Sequence, residues 1–155
     1  MSVEVALRRA EPDDHLAVVR LFDAGLLETD PDRLRRQLDA TAGFVLLGTI
    51  NERPVGAIAV DLPPVDDSEE VDDNEKVDNP EPARITAIAV RRRRRDRGIG
   101  RQLVDAAADR AAPRPLTAVF DDRVRPFYRA CGFEIDPHEG RLRGCRRPTA
   151  AGTPD

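Results

Sequence analysis

The sequence predicts a single domain that mixes strands and helices around one central strand–turn–helix unit. The apolar run from Ile85 to Val90 is rich in β-branched residues and predicts a buried strand. The turn Gly98-Ile99-Gly100 then opens a segment with apolar residues three or four apart, which Pro113 closes, and this predicts a helix. A chain of 155 residues is most simply one domain that can bury a substantial core.

The elements before this unit follow from the spacing of apolar residues. Val3, Val5 and Leu7 alternate with polar or small residues and predict a first strand. The segment from Pro12 to Ala24 predicts a helix, and Asp30-Pro31 is typical of the start of a second, shorter one. In the first helix the expected apolar stripe is Leu16, Val19 and Phe22, and in the second it is Leu34 and Leu38. The stretches GFVLLGTI and PVGAIAVDL, joined by Asn51-Glu52-Arg53, predict a hairpin.

After the central helix the pattern predicts two or three strands and one more helix. Leu116 to Phe120 is an apolar strand, and Asp121-Asp122 precedes a helix around Val124 to Cys131 that Gly132 ends. Phe133-Glu134-Ile135 begins a strand, and the segment Arg141 to Cys145 is suited to return antiparallel to it.

Two segments are expected to stay outside the folded core. The composition changes abruptly over residues 63–82, which are acidic, flanked by proline and nearly free of large apolar side chains. We therefore expect a mobile loop inside a domain that spans residues 1–147, followed by a disordered tail at 148–155.

Composition excludes several classes of protein. The net charge is −4, which argues against a nucleic-acid or membrane binder. Cys131 and Cys145 do not make a disulfide framework, and the N-terminus lacks a signal-peptide core, so a soluble cytoplasmic domain is expected. His15 and His138 lie in unrelated regions, which predicts that the protein binds no metal.

A strand, a glycine-bearing turn and a helix in this order predict an anion site, because a helix start presents free N–H groups at its positive end. The spacing Arg95-x-x-Gly98-x-Gly100 resembles the pyrophosphate loop of the GCN5-related N-acetyltransferases, which bind acetyl-coenzyme A. The helix that carries Tyr128 and ends in Gly132-Phe133 resembles the family's other recurrent motif. The two motifs stand in the family's order, with room between them for one helix and one strand.

This resemblance implies the acyl-CoA N-acyltransferase fold, with a mixed and mostly antiparallel sheet, and it implies a set of site residues. Tyr128 would be the catalytic acid that protonates the departing thiolate, and it would also contact the cofactor. A backbone N–H among Ile88, Ala89 and Val90 would bind the thioester carbonyl. The pyrophosphate would bind along Arg95, Asp96, Arg97, Gly98, Ile99, Gly100 and Arg101. Asp121 stands where the family often has an asparagine that touches coenzyme A.

The sequence does not identify the residue that removes the proton from the amine. Many members carry a glutamate at the start of the central strand, where this chain has Arg84. Glu81 acting through a water, a carboxylate elsewhere, or no single residue are the alternatives.

The predicted function is transfer of an acetyl group from acetyl-CoA, as co-substrate, to a primary amine of a small molecule or protein. The alternative is a non-catalytic CoA-binding or regulatory domain on the same fold. The resemblance is compatible with a homodimer. We do not expect the protein to bind nucleic acid or a membrane. The loops near residues 25–32 and 136–140 would line the acceptor site.

Other interpretations of the same residues compete with these. The arginine run at residues 91–95 could bind nucleic acid or be a solvated loop. A dinucleotide fingerprint would need a third glycine where Leu103 stands, so it is rejected. Tyr128 could be no more than a core aromatic.

Overall fold

The computed structural model describes residues 5–24, 31–39, 43–62, 81–91 and 98–147. Most of the acidic segment predicted at 63–82, the tail predicted at 148–155, and residues 92–97 with Arg95, Asp96 and Arg97 lie outside these ranges. Within them, no helix has the length and apolar character needed to cross a membrane.

The described residues form seven strands and four helices, in an order that agrees with the sequence prediction. The strands are β1 (Ala6–Arg9), β2 (Gly43–Ile50), β3 (Arg53–Asp61), β4 (Ala83–Val90), β5 (Leu116–Phe120), β6 (Glu134–His138) and β7 (Arg141–Arg146). The helices are α1 (His15–Ala24), α2 (Pro31–Leu38), α3 (Ile99–Ala111) and α4 (Arg125–Ala130).

All seven strands belong to one sheet, in the order β1-β2-β3-β4-β5-β7-β6. Every neighbouring pair is antiparallel except β4 and β5, which are parallel. The predicted mixed and mostly antiparallel sheet flanked by helices is therefore confirmed. The central strand β4 lies in the middle of the sheet, where helices can cover both of its faces.

The predicted hairpin is confirmed with a tighter turn than the sequence suggested. Arg53 already belongs to β3, so the turn consists of Asn51 and Glu52 alone, with φ angles of 54° and 67°. Two consecutive left-handed residues make the turn type whose twist matches the flanking strands.

The apolar stripe predicted for the first helix was partly wrong. Leu16 is 58% exposed, whereas Val18, Leu21 and Phe22 are buried. Both sets recur at helical spacing, so the periodicity of this segment allowed either one. In addition, Pro12–Asp14 form a 3₁₀ turn, and the α-helix begins at His15.

The two faces of the sheet carry separate cores. One core packs α3 and α4 against the sheet and includes Leu103, Leu116 and Phe120. The other packs α1 and α2 against the opposite face and includes Val18, Phe22 and Leu38. Strand β4 contributes residues to both cores. A β-bulge in the middle of this strand determines which side chains lie on each face of the sheet.

Strand β4 has a β-bulge at Thr86. Ala59 pairs with Ala87 and Val60 pairs with Ile85, so Thr86 has no partner on β3. A bulge of this kind places two consecutive residues on one side and reverses the alternation that follows. Ala83 and Ile85 belong to the core under α3, but after the bulge it is Ala87 and Ala89 that belong to the core under α1 and α2. Ile88 and Val90 pack against the core under α3.

Candidate active site

Strands β4 and β5 are joined at one end and separate towards the other. Their paired residues are Ala83 with Leu116 and Arg84 with Thr117, and no further pairs join the two described strands. Two hydrogen bonds close this end, from Ala83 N–H to Pro115 O (2.8 Å) and from the buried Thr117 hydroxyl to Ala83 O (3.0 Å). Beyond it, β4 continues to Val90 and β5 to Phe120 without pairing, which leaves a gap between adjacent parallel strands.

The backbone N–H of Ile88 is directed into this gap. Arg91 donates its N–H to Val55 O on β3 (2.7 Å), and the direction of successive N–H groups alternates along a strand. Ala89 therefore faces β3 like Arg91, whereas Ile88 and Val90 face the β5 side. Of the three residues predicted to bind the thioester carbonyl, Ile88 offers a donor at the place where β5 has diverged.

The start of α3 supplies a second set of donors at the same end of the sheet. Gly98 precedes the helix in the left-handed conformation (φ 80°), and its carbonyl accepts the N–H of Gln102 at 3.0 Å. The N–H groups of Ile99, Gly100 and Arg101 belong to the first turn, where no intrahelical acceptor is available. Together with the helix dipole they can hold an anionic group.

Gly98 and Gly100 differ in what requires them to be glycine. A Cβ on Gly98 would meet no atom of the described residues within 4 Å, so among them its positive φ is what favours glycine. A Cβ on Gly100 would lie 3.0 Å from the ring of Phe127 and 3.8 Å from Val90. Gly100 is thus needed for close packing of α3 against α4, a requirement that the motif alone did not reveal.

Tyr128 lies in an aromatic cluster beside the open end of the strand pair. Its ring stacks on Phe120, the last residue of β5, with centroids 4.2 Å apart, and meets Phe127 and Phe133 edge to face. The residue is 6% exposed, and burial raises the pKa of Tyr128 to about 12, with a smaller contribution from the nearby Cys131 thiol. The phenol therefore stays protonated at neutral pH and can donate a hydrogen bond.

Cys131, at the end of α4, is a buried free thiol. Burial, and secondarily the carboxylate of Asp105, raise the pKa of this thiol. Both effects disfavour the thiolate, so Cys131 is a packed apolar group rather than a nucleophile.

Asp121 follows β5 and pairs with Arg141 of β7, whose Nε lies 3.0 Å from Asp121 Oδ1. Both side chains are exposed. The predicted cofactor contact would thus have to share this carboxylate with a guanidinium, an arrangement that sequence reasoning missed because Arg141 is 20 residues away.

The structure places another carboxylate next to the position where the family often has glutamate. Arg84 is exposed on β4, and its register partner on β3 is Asp61. Side chains directly opposite each other share a face of the sheet. Asp61 Oδ1 accepts a hydrogen bond from Gln37 Nε2 (2.9 Å), and Asp61 Oδ2 lies 3.4 Å from Arg33 Nε. Glu81, the other candidate base, is exposed just before β4.

Comparison with known families and structures agrees with this architecture. The sequence model described as "Acetyltransferase (GNAT) family" matches residues 11–133. No curated protein sequence matches the chain.

Solved structures similar to this chain include three acetyltransferases. An acetyltransferase from Thermus thermophilus is 21% identical with a TM-score of 0.66, over 94% of this chain and 99% of that one. A diaminobutyrate acetyltransferase from Paenibacillus lautus, in complex with L-2,4-diaminobutyric acid and coenzyme A, is 18% identical with a TM-score of 0.66, over 95% and 96% of the two chains. A PaiA N-acetyltransferase from Thermoplasma acidophilum, in complex with coenzyme A, is 11% identical with a TM-score of 0.67, over 93% and 99%.

Proposed function

Because the chain belongs to the GNAT family of acetyltransferases, we propose that it transfers an acetyl group from acetyl-CoA to a primary amine. The observation that supports the proposal is the gap between β4 and β5, and we propose that three donors of different kinds contact the substrate there. They are the N–H of Ile88 on β4, the first turn of α3 and the Tyr128 hydroxyl on α4.

Each donor corresponds to a charge that the substrate carries or develops. The diphosphate of acetyl-CoA is anionic throughout and suits the start of α3. The thioester carbonyl oxygen becomes negative when the amine attacks, and an N–H already aimed at it stabilises that charge without reorganisation. The sulfur becomes negative last, and a neutral phenol is a suitable donor for it.

The reaction at this site is written as direct attack. The amine nitrogen bonds to the thioester carbon, and the carbon–sulfur bond then breaks with its electron pair on sulfur. Tyr128 donates its proton to that sulfur, which leaves as the free thiol. The nitrogen loses one proton to solvent as it becomes an amide, and the phenolate takes one proton back from solvent. The acceptor is a small molecule or a protein side chain, and the cytoplasm, where acetyl-CoA is available, is the proposed location.

The alternative, a domain that binds CoA without catalysis, is favoured by Arg84 at the position of the family's glutamate. In that case the anion site and Ile88 would be used, but the thioester would stay intact. The two functions differ in a single observable, which is turnover of bound acetyl-CoA.

A panel of amine acceptors, assayed with acetyl-CoA by release of free thiol, tests the proposal. The panel should include polyamines, amino acids with a second amino group, and peptides with a free N-terminus or lysine. Amine-dependent thiol release is the expected result. Tight binding of acetyl-CoA by calorimetry, with no amine that increases thiol release above hydrolysis, would favour the non-catalytic domain instead.

A further inference from the structure

The bulge at Thr86 determines which residues of β4 direct their N–H groups into the gap. On this strand, residues whose side chains face α3 direct their N–H groups towards β5, as Ala83 does in donating to Pro115 O. In a strand without a bulge, Ala87 would direct its N–H towards β5, as Ala83 and Ile85 do. Because Thr86 is an extra residue in this strand, the N–H of Ile88 points towards β5 and the N–H of Ala87 points towards β3. The donor proposed for the thioester carbonyl therefore depends on the bulge.

A buried side chain from α2 holds this bulge. Gln37 is only 1% exposed, and its Nε2 lies 3.1 Å from Thr86 Oγ1 and 2.9 Å from Asp61 Oδ1. The Thr86 hydroxyl in turn donates to Ala59 O on β3 at 3.3 Å. An ionised carboxylate can only accept, so the amide nitrogen of Gln37 must face Asp61, and its two hydrogens serve Asp61 and Thr86.

A leucine at position 37 would be the simpler choice for stability, since burying an amide costs free energy unless its hydrogen bonds are made. Its neighbours Leu34 and Leu38 on the same helix are buried apolar residues of the core under α1 and α2. What Gln37 adds is a fixed link from α2 through Thr86 to the irregular point of β4, with Asp61 fixing the orientation of the amide.

We propose that Gln37 is a positioning residue, which fixes the bulge through Thr86 and thereby aims the Ile88 N–H at the thioester carbonyl. The inference rests on the proposed binding of acetyl-CoA in the gap. It assigns α2 a part in catalysis, although no side chain of that helix needs to touch the reacting atoms.

Gln37→Met tests this proposal, because methionine has a similar length and volume but no hydrogen-bond donor. Leu34→Met is the matched control, since it alters another buried residue of α2 without touching the link to Thr86. Two readouts are needed: the ratio of the affinities for acetyl-CoA and CoA by calorimetry, and the stretching frequency of the isotope-labelled thioester carbonyl by infrared difference spectroscopy. A hydrogen bond to the carbonyl oxygen increases the affinity for acetyl-CoA relative to CoA, and it lowers the stretching frequency of the carbonyl.

In the wild-type protein we expect acetyl-CoA to be preferred over CoA and its carbonyl band to be shifted to lower frequency. Gln37→Met should reduce that preference by about 3- to 10-fold, the value of roughly one hydrogen bond, and return the band towards its frequency in water. Leu34→Met should lose some stability but keep the wild-type ratio and band.

Thr86→Val and Thr86→Ser provide a second test that does not alter α2. Valine keeps the branched shape and removes the hydroxyl, so it should behave like Gln37→Met, whereas serine should retain most of the effect. The double variant Gln37→Met/Thr86→Val should be no worse than the stronger single one, because both act through one hydrogen bond.

The outcomes separate this inference from the function on which it rests. A wild-type protein that binds neither acetyl-CoA nor CoA would overturn both. A wild-type protein with a shifted carbonyl band that Gln37→Met and Thr86→Val leave unchanged would overturn the positioning role alone. An unshifted band in wild-type protein with bound acetyl-CoA would also overturn it, because no donor would then reach the carbonyl.

Discussion

The two ends of the β4–β5 pair have opposite physical characters, although the same two strands form both. At the closed end, the buried Thr117 hydroxyl donates to Ala83 O and the Ala83 N–H donates to Pro115 O, beside a short parallel ladder. At the open end the two strands have diverged, the Ile88 N–H faces the β5 side, and the Tyr128 ring stacks on Phe120, the last residue of β5. The separation of β4 from β5 thus leaves a gap at one end, and the hydrogen bonds at the other end anchor the two strands.

The largest effect should come from Tyr128→Phe at the open end. The substitution removes one oxygen and keeps the ring that stacks on Phe120, so stability should change little. If the hydroxyl protonates the departing sulfur, kcat should fall by roughly 10²–10⁴-fold. Affinity for acetyl-CoA should stay nearly constant, because the lost interaction forms mainly in the transition state. A kcat within a few-fold of wild type would leave Tyr128 as a packed aromatic only.

The same residue gives a pH prediction that needs no substrate, because Tyr128 is the only tyrosine and the chain has no tryptophan. Its folded-state pKa of about 12 exceeds the ordinary value of 10.0, so the folded protein holds this proton more tightly than the unfolded chain does. The associated stability is complete below the ordinary pKa and is lost as the pH rises through the folded value. Ultraviolet titration should therefore show tyrosinate only near pH 12 or on unfolding. Ionisation at the ordinary pKa in folded protein would contradict the burial of the ring.

A smaller effect is expected at the anion site, where Gly98 can be compared with Gly132, the glycine that follows α4. Gly98 and Gly132 both have positive φ, and among the residues that the structure describes a Cβ on either would meet no atom within 4 Å. Gly98→Ala and Gly132→Ala should therefore lose similar stability, on the order of 1–2 kcal/mol. Only Gly98→Ala should weaken binding of CoA and acetyl-CoA, by roughly tenfold or more, as measured by calorimetry. Equal affinities in the two variants would remove the start of α3 from the site.

The closed end should give the smallest functional effect. Thr117→Val keeps the side-chain shape but removes the buried hydroxyl that donates to Ala83 O, which should cost about 0.5–1.5 kcal/mol of unfolding free energy. Urea denaturation measures that loss, and CoA affinity in the folded variant should remain within about twofold of wild type. A large loss of affinity would mean that the closed end tunes the gap and does not merely anchor it.

Much of this fold could be predicted from the sequence, because its elements have distinct local patterns. The run Ile85 to Val90, the glycines before α3 and the helix with Tyr128 each carried a signal of their own. The order of elements followed from them, whereas the site residues that the family's motifs imply stay a prediction.

Some features could not be predicted because two choices of buried residues fitted the sequence pattern equally well. Others depend on contacts between residues that are distant in the sequence. Leu16 and Val18 both fit a helical stripe, and only packing against the sheet decides that Val18 is buried. The bulge at Thr86 leaves no trace in a strand that is apolar on both faces. Phe127 beside Gly100, and Gln37 beside Thr86, are contacts that only the tertiary fold brings together.

The most direct test of the account is an amide nuclear magnetic resonance comparison of the two ends of β4, with CoA and then with acetyl-CoA bound. Both ligands share every group except the acetyl, so the difference between them reports the thioester alone. We predict that the Ile88 amide resonance moves between the two complexes, as expected when its N–H binds the carbonyl, while the Ala83 amide does not. A difference that appears at Ala83 and not at Ile88, or at neither in saturated complexes, would contradict the assignment of the open end as the acetyl site.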